Sequence, residues 1–310
     1  MRKSSGFLIF LALFTVVLAG CLSKTEPRGT TYIDDIGNDV VIDGTPEKIV
    51  TLTPGLTEIV FYLNAGDKIV GCDSASNYPG EAEDIEKVST WEGPDTEKIL
   101  ALSPDLILMD KNLDSSGDNY DKLKDLGIPI YRIYPLSIDD TLEVMRDLAD
   151  ILDTDSESES KIKTLEERVG TVRNSVSDIV VSDRPSVLHV TYYEEGSDPW
   201  VMTDSTFSGD IISTAGGDPS VKDPKGLAIQ ISVERFLELD PDIILTSQSS
   251  IWPTNSREYI LNDEAMEGIS AVEEGRVYDI EGDWMDRTGP RMIEGLEAVN
   301  GHIEEFVEGS

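Results

Sequence analysis

Histidine and cysteine are nearly missing from this chain of 310 residues, which has only His189, His302, Cys21 and Cys72. Tight transition-metal sites gather such side chains in clusters. Bare zinc, manganese or copper is therefore not expected as cargo, and no resident metal or cofactor is expected. His189, inside the apolar run SVLHV, reads as packed or surface-facing rather than as a ligand. Basic residues are also scarce, 25 Lys and Arg against 61 Asp and Glu, for a net charge of −36. That balance argues against nucleic acid or an anionic lipid surface as partner. The acids are spread along the chain, so most serve solvation, while a few could form a docking surface for a basic partner. There is no Gly-x-Ser-x-Gly elbow, no phosphate loop and no Gly-x-Gly-x-x-Gly after a strand. Carboxylates are too abundant for one acid–base pair to stand out. No enzyme is expected; a secreted α/β hydrolase is the competing enzymatic reading, and a non-transport lipoprotein the third.

No apolar run is long enough to span a bilayer as a helix. The longest, Gly6 to Gly20, is 15 residues behind a basic Arg2-Lys3 head, where spanning takes roughly twenty. This is the pattern of a signal peptide. It ends in Leu18-Ala19-Gly20-Cys21, which resembles the lipobox of prokaryotic lipoprotein processing and implies a lipid on Cys21 at the outer face of the cell membrane. Ser23 to Thr31 would follow as a polar tether. Cys72 is then the one thiol left, so no intramolecular disulfide is expected.

What the chain does have is an internal repeat. Glu97 to Leu108 (EKILALSPDLIL) aligns with Glu234 to Leu245 (ERFLELDPDIIL) at an offset of 137, with seven of twelve positions identical. Each copy reads as a helix, a Pro-Asp turn and a buried strand, with Asp95 and Ser232 placed as N-caps. A repeat this long implies two similar lobes rather than a solenoid. Around it, KIVTL, KIVGC, DLILM and PIYRI read as strands of one lobe, and SVLHVTY, DIILT and RVYDI as strands of the other. Helices are expected over 56–65, 96–102 and 120–126, then 207–215, 233–239 and 263–267. Alternating strands and helices with wholly apolar strands indicate α/β lobes with parallel sheets. Between them, Leu142, Met145, Leu148 and Leu152, then Ile162, Leu165 and Val169, recur at helical spacing. The acidic, serine-rich stretch Asp153 to Ser160 is either a break or a solvated face of one long helix. The organisation is a leader over 1–20, a tether over 21–45, a first lobe over 46–137, a helical connector over 138–180, and a second lobe over 181–310 closed by a helix from Gly289 to Val307.

PEKIVTLTPGLTEIVFYLNAGDKIVGC, STWEGPDTEKILALSPDLIL, AGG at 215–217 and GDWMDRTGPRMIEGL follow one another in this order. Together they resemble the periplasmic binding proteins of cobalamin and iron-siderophore uptake, over Pro46 to Val307. The resemblance implies two Rossmann-like lobes with parallel sheets joined by a long, rigid helix, ligand in the cleft between them, and little hinge motion. It implies as partner an ABC transporter permease with its ATPase subunit, and as cargo a corrinoid or small-molecule metal chelate that can itself contain cobalt or iron. Glu97 and Glu234 match the pair of acids that dock on permease arginines; each also sits in the first turn of its helix, where a carboxylate favours the dipole. Trp91, Trp200, Trp284, Arg287 and Tyr78 are the ligand-binding candidates, aromatic faces suiting a macrocycle and the arginine an anionic chelate. Ala75 and Ala228 stand where cobalamin binders can have aromatics, and Trp252 could compensate. Basic residues are sparse near the expected cleft. A cobalamin-type corrinoid therefore leads over a ferric siderophore or haem.

Overall fold

The computed structural model describes residues 29–114, 117–225, 228–248 and 254–309. The leader, the lipobox with Cys21, and Trp252 lie outside them.

Two six-stranded sheets form the two lobes. The first runs in the order Gly93–Pro94, Lys87–Thr90, Ile69–Asp73, Ile49–Thr51, Leu106–Asp110, Ile130–Ile133. Its pairs are parallel except at the Gly93–Pro94 edge. In the second, Ser186–Tyr192 and Val277–Glu281 flank Ile243–Gln248 in parallel, and Trp200–Val201 and Ile229–Gln230 extend it antiparallel. The expectation of parallel sheets holds in the centres and is corrected at these edges. The central strands read as unbroken apolar runs because both faces are covered: Leu106 to Asp110 are all buried.

The repeat is structural as well as sequential. Strand 93–94, helix Thr96–Leu102 and strand Leu106–Asp110 correspond to strand 229–230, helix Val233–Leu239 and strand Ile243–Gln248. Asp95 accepts from the Lys98 N–H at 3.1 Å and Ser232 from the Arg235 N–H at 3.2 Å, so both expected N-caps form. Both helices end on a left-handed residue, Ser103 and Asp240.

The connector is two helices, Ile138–Ile151 and Asp155–Ser175, with Asp153 at φ 56 in the break between them. They run antiparallel: Asp139 meets Arg173 at 2.9 Å, and Arg146 meets Glu166 further along. The first covers the first lobe, where Tyr131 donates to Asp147 at 3.2 Å. The second is the bridge, 21 residues or roughly 30 Å at ~1.5 Å per residue. At one end Lys161 donates to Tyr62 O and Asn64 Oδ1 at 2.8 and 2.6 Å. Further on, Arg168 pairs with Glu297 and Glu294 of the closing helix, Met292–Gly309. Its buried stripe, Ile162, Leu165, Val169 and Val172, belongs to one continuous core that includes Leu56 and Leu106 of the first lobe and Val187, Ile243 and Leu296 beyond it. Two smaller cores lie within single lobes. A shared core makes the lobes one packed body.

Two expected helices are corrected. Residues 264–266 form a 3-10 turn behind a helix at Ser256–Asn262, and the closing helix begins at Met292, past Pro290. No helix of the described residues is long and apolar enough to cross a membrane.

Candidate ligand cleft

The lobes meet where the helix Pro54–Tyr62 faces the segment leading into the closing helix. A Cβ on Gly55 would stand 2.5 Å from Thr288 O, so glycine permits this approach. Above the contact lie two adjoining cavities of about 230 and 430 Å³, the larger within the range of small-molecule sites. Both lobes line them. Thr53, Pro54, Gly55 and Asp110 face Met202, Thr206, Phe207 and Ala228 across the first. Pro54 and Ala75 face Thr191, Tyr192 and Ser247 across the second. Asp286 and Arg287 line both. A smaller hollow of about 90 Å³ under Trp91 joins the first through Thr53 and Asp110.

Local sequence explains this convergence. Thr53, Asp110 and Ser247 stand at or just beyond the carboxyl ends of parallel strands, where open α/β sheets bind ligands. Thr53 caps the helix at Pro54, its hydroxyl accepting from the Leu56 N–H at 3.3 Å, with proline in the first turn. Thr206 caps the helix Phe207–Thr214 in the opposite lobe, accepting from the Gly209 N–H at 3.2 Å.

Beneath the cleft sits a buried ion cluster joining the lobes. Glu58, 2 % exposed, accepts from Arg291 Nε at 2.8 Å and Nη2 at 2.6 Å, and from Arg287 Nη1 at 3.2 Å. Asp283 pairs with Arg287 at 2.9 Å and Arg291 at 3.5 Å. Two carboxylates thus balance two guanidinia. Arg287 also donates to Asn77 Oδ1 at 2.9 Å, so its charge is spent within the protein.

The two carboxyls in the cleft wall are a different matter. Asp286 can be reached by solvent, yet the protein around it desolvates it; with Asp283 nearby, this pushes its pKa up to about 7 against a hydrogen bond from Ser247 at 3.3 Å. Burial likewise pushes Asp110 up to about 6, against hydrogen bonds from Asn112. His189 is packed, not surface-facing. Its Nδ1 and Nε2 meet Ser208 and Ser247 Oγ at 3.1 and 2.8 Å, and burial lowers its pKa to about 4, leaving it neutral.

The sequence candidates separate accordingly. Trp91, 86 % exposed, overhangs the small hollow. Trp200 is the cross-strand partner of Tyr192 and shares its sheet face, one strand outward from the cavity. Arg287 lines the cleft but is already paired. Tyr78 lines neither main cavity; its ring lies 4.1 Å from the Arg291 guanidinium and supports the ion cluster. Trp284 lies on a short helix, Gly282–Asp286, rather than in a loop, with its backbone against Gly295, and lines neither cavity. Ala75 and Ala228 do line the cavities. Glu97 and Glu234 are both exposed on their helices, and the Glu234 carboxyl is held below the usual range by its own backbone N–H and the Ser232 hydroxyl. Tyr192, Phe207, Asp110, Asp286, Glu58 and Arg291 were not among the candidates.

A cleft between two α/β lobes bridged by a helix defines a binding protein. The chain belongs to the periplasmic binding protein family, whose model matches residues 49–283. It is a solute-binding component of transport and not an enzyme. The uncharacterized ABC transporter substrate-binding lipoprotein YvrC of Bacillus subtilis is 28% identical, covering 96% of each chain. The vitamin B12-binding protein of Vibrio parahaemolyticus is 24% identical over 83% of this chain and 90% of its own. Among solved structures, the periplasmic vitamin B12 binding protein BtuF of Vibrio cholerae superposes with a TM-score of 0.73 at 23% identity, over 84% of this chain and 98% of its own. The periplasmic heme-binding protein RhuT of Roseiflexus gives 0.71 at 21%, over 85% and 99%. These superpositions show the fold.

Proposed function

We propose that this solute-binding protein captures a cobalamin-type corrinoid in the cleft and hands it to an ABC importer. It would be held at the outer membrane face by a lipid on Cys21 and dock through Glu97 and Glu234. The electrostatics of the cleft carry this reading. Among the described residues the one arginine lining it is neutralised by Glu58 and Asp283, while Asp286 is exposed at the cavity and the buried Asp110 adds a second carboxyl to its wall. A multiply anionic ferric triscatecholate, or a haem with its propionates, would bring negative charge to a site whose described residues include no free cation. A corrin offers broad apolar faces to Tyr192 and Phe207, and neutral amides on its rim that donate to carboxylates. The B12-binding relatives support the same cargo.

Isothermal titration of the mature chain against cyanocobalamin, dicyanocobinamide, haemin and a ferric triscatecholate separates these readings. Saturable binding of a corrinoid, with haemin and the triscatecholate much weaker, is expected. Haemin or the triscatecholate binding more tightly would overturn the corrinoid reading. Mass spectrometry of the mature protein should find a diacylglyceryl-modified Cys21 as its first residue; an unmodified cysteine would remove the anchor.

A further inference from the structure

The two short helices of the repeat match at buried positions for an evident reason. Ile99 and Phe236 are fully buried, and each plugs its helix onto a sheet. Exposed positions carry no such requirement, yet they match too. Glu97 and Glu234, Lys98 and Arg235, and Leu100 and Leu237 occupy equivalent exposed sites. Among the described residues three leucines are exposed, and two of them are this pair, at 50% and 38%. Lysine or alanine would serve an exposed helical position equally well without putting apolar surface in water, so folding gives no reason for a leucine there in both lobes.

Residues three apart on a helix are neighbours, so each leucine stands beside its glutamate. The basic residue of each helix is engaged nearby: Lys98 with Glu86 at 3.0 Å, Arg235 with Glu238 at 3.1 Å. Glu97 makes no ion pair among the described residues. Each lobe thus presents an acid beside an apolar knob, and the chain presents this twice.

Resting on the docking reading above, we propose that each lobe engages the permease through a glutamate–leucine pair, so that the partner offers, twice, a basic side chain next to an apolar pocket. Leucine burial carries the affinity; the glutamates steer encounter and set orientation. A surface used twice by one chain calls for a partner with two-fold repetition.

The test is binding of the full mature chain to its own permease–ATPase complex in nanodiscs, measured at low and high salt. Leu100→Ser/Leu237→Ser should weaken binding about tenfold or more at both salts, while keeping the wild-type salt dependence. Leu100→Met/Leu237→Met should bind as wild type, and a wild-type Tm for the serine pair would exclude a folding defect as the cause of its weaker binding. Glu97→Gln/Glu234→Gln should slow association and flatten the salt dependence. If the glutamine pair weakens binding and the serine pair does not, the apolar contact is overturned and the docking reading stands. If neither changes binding, the docking reading falls and takes the proposal with it. A methionine pair as weak as the serine pair would also overturn the apolar contact.

Discussion

Replacing Glu58 by glutamine keeps the shape of the side chain and removes one charge from the cluster beneath the cleft. The guanidinia of Arg287 and Arg291, whose side chains are 10% and 18% exposed, would then share only Asp283. Removing one partner of a buried ion pair costs about 3–5 kcal/mol. Residual solvent access to the arginines places this case near the lower end, about 3 kcal/mol. For a protein of this size that lowers Tm by about 5 °C. Urea unfolding of the mature chain, with the m-value checked for two-state behaviour, measures the cost. Arg291→Gln alone should also destabilise, leaving Glu58 with Arg287 only. In the double variant Arg287 and Asp283 balance again, so the two costs should fall short of additive by about 1–3 kcal/mol. A Glu58→Gln cost below about 1 kcal/mol, or strict additivity, would refute a buried, balanced cluster.

Three further outcomes follow from the same geometry. The Asp110 carboxyl, raised from 3.8 to about 6 mainly by burial, favours the folded state when protonated, and that contribution is lost as pH rises through about 6. Asp110→Asn should therefore stabilise the protein at pH 8 by up to about 3 kcal/mol, at ~1.4 kcal/mol per pH unit, with the gain vanishing near pH 4; unfolding curves at both pH values check this, and a pH-independent effect would contradict it. Tyr192→Ala removes a half-exposed cleft aromatic and should weaken corrinoid binding by about 1–2 kcal/mol with little change in Tm; unchanged affinity in titration would place the ligand elsewhere. Small-angle scattering should give nearly the same radius of gyration with and without ligand, because the helix Asp155–Ser175 and the Glu58 cluster brace both lobes. A large contraction would contradict this bracing.

The lobes and their repeat were legible because each copy carries its own punctuation: a capping Asp95 or Ser232, an apolar helix face, a Pro-Asp turn and an apolar strand. The break in the connector was not. Asp153 adopts φ 56 within a run of acids and serines, any of which could equally face water on a continuous helix. The cleft was legible only in part. Ala75, Ala228 and Arg287 line it as the motif order suggested. Arg287 read as a free cation because the sequence shows an arginine without the carboxylates that claim it. Glu58 did leave a trace, a lone acid in the apolar stretch GLTEIVFY, but its partner Arg291 lies 233 residues away. Tyr192 and Phe207 become cleft residues only when one lobe is set against the other, a juxtaposition that no local pattern encodes.

The central claim, that cargo is held between the lobes, is tested most directly by hydrogen–deuterium exchange of the mature chain with and without cyanocobalamin. Protection is predicted on both sides at once, around Thr53–Gly55 in the first lobe and around Thr206–Phe207 and Gly282–Thr288 opposite. Protection confined to one lobe, or none at saturating ligand, would contradict it.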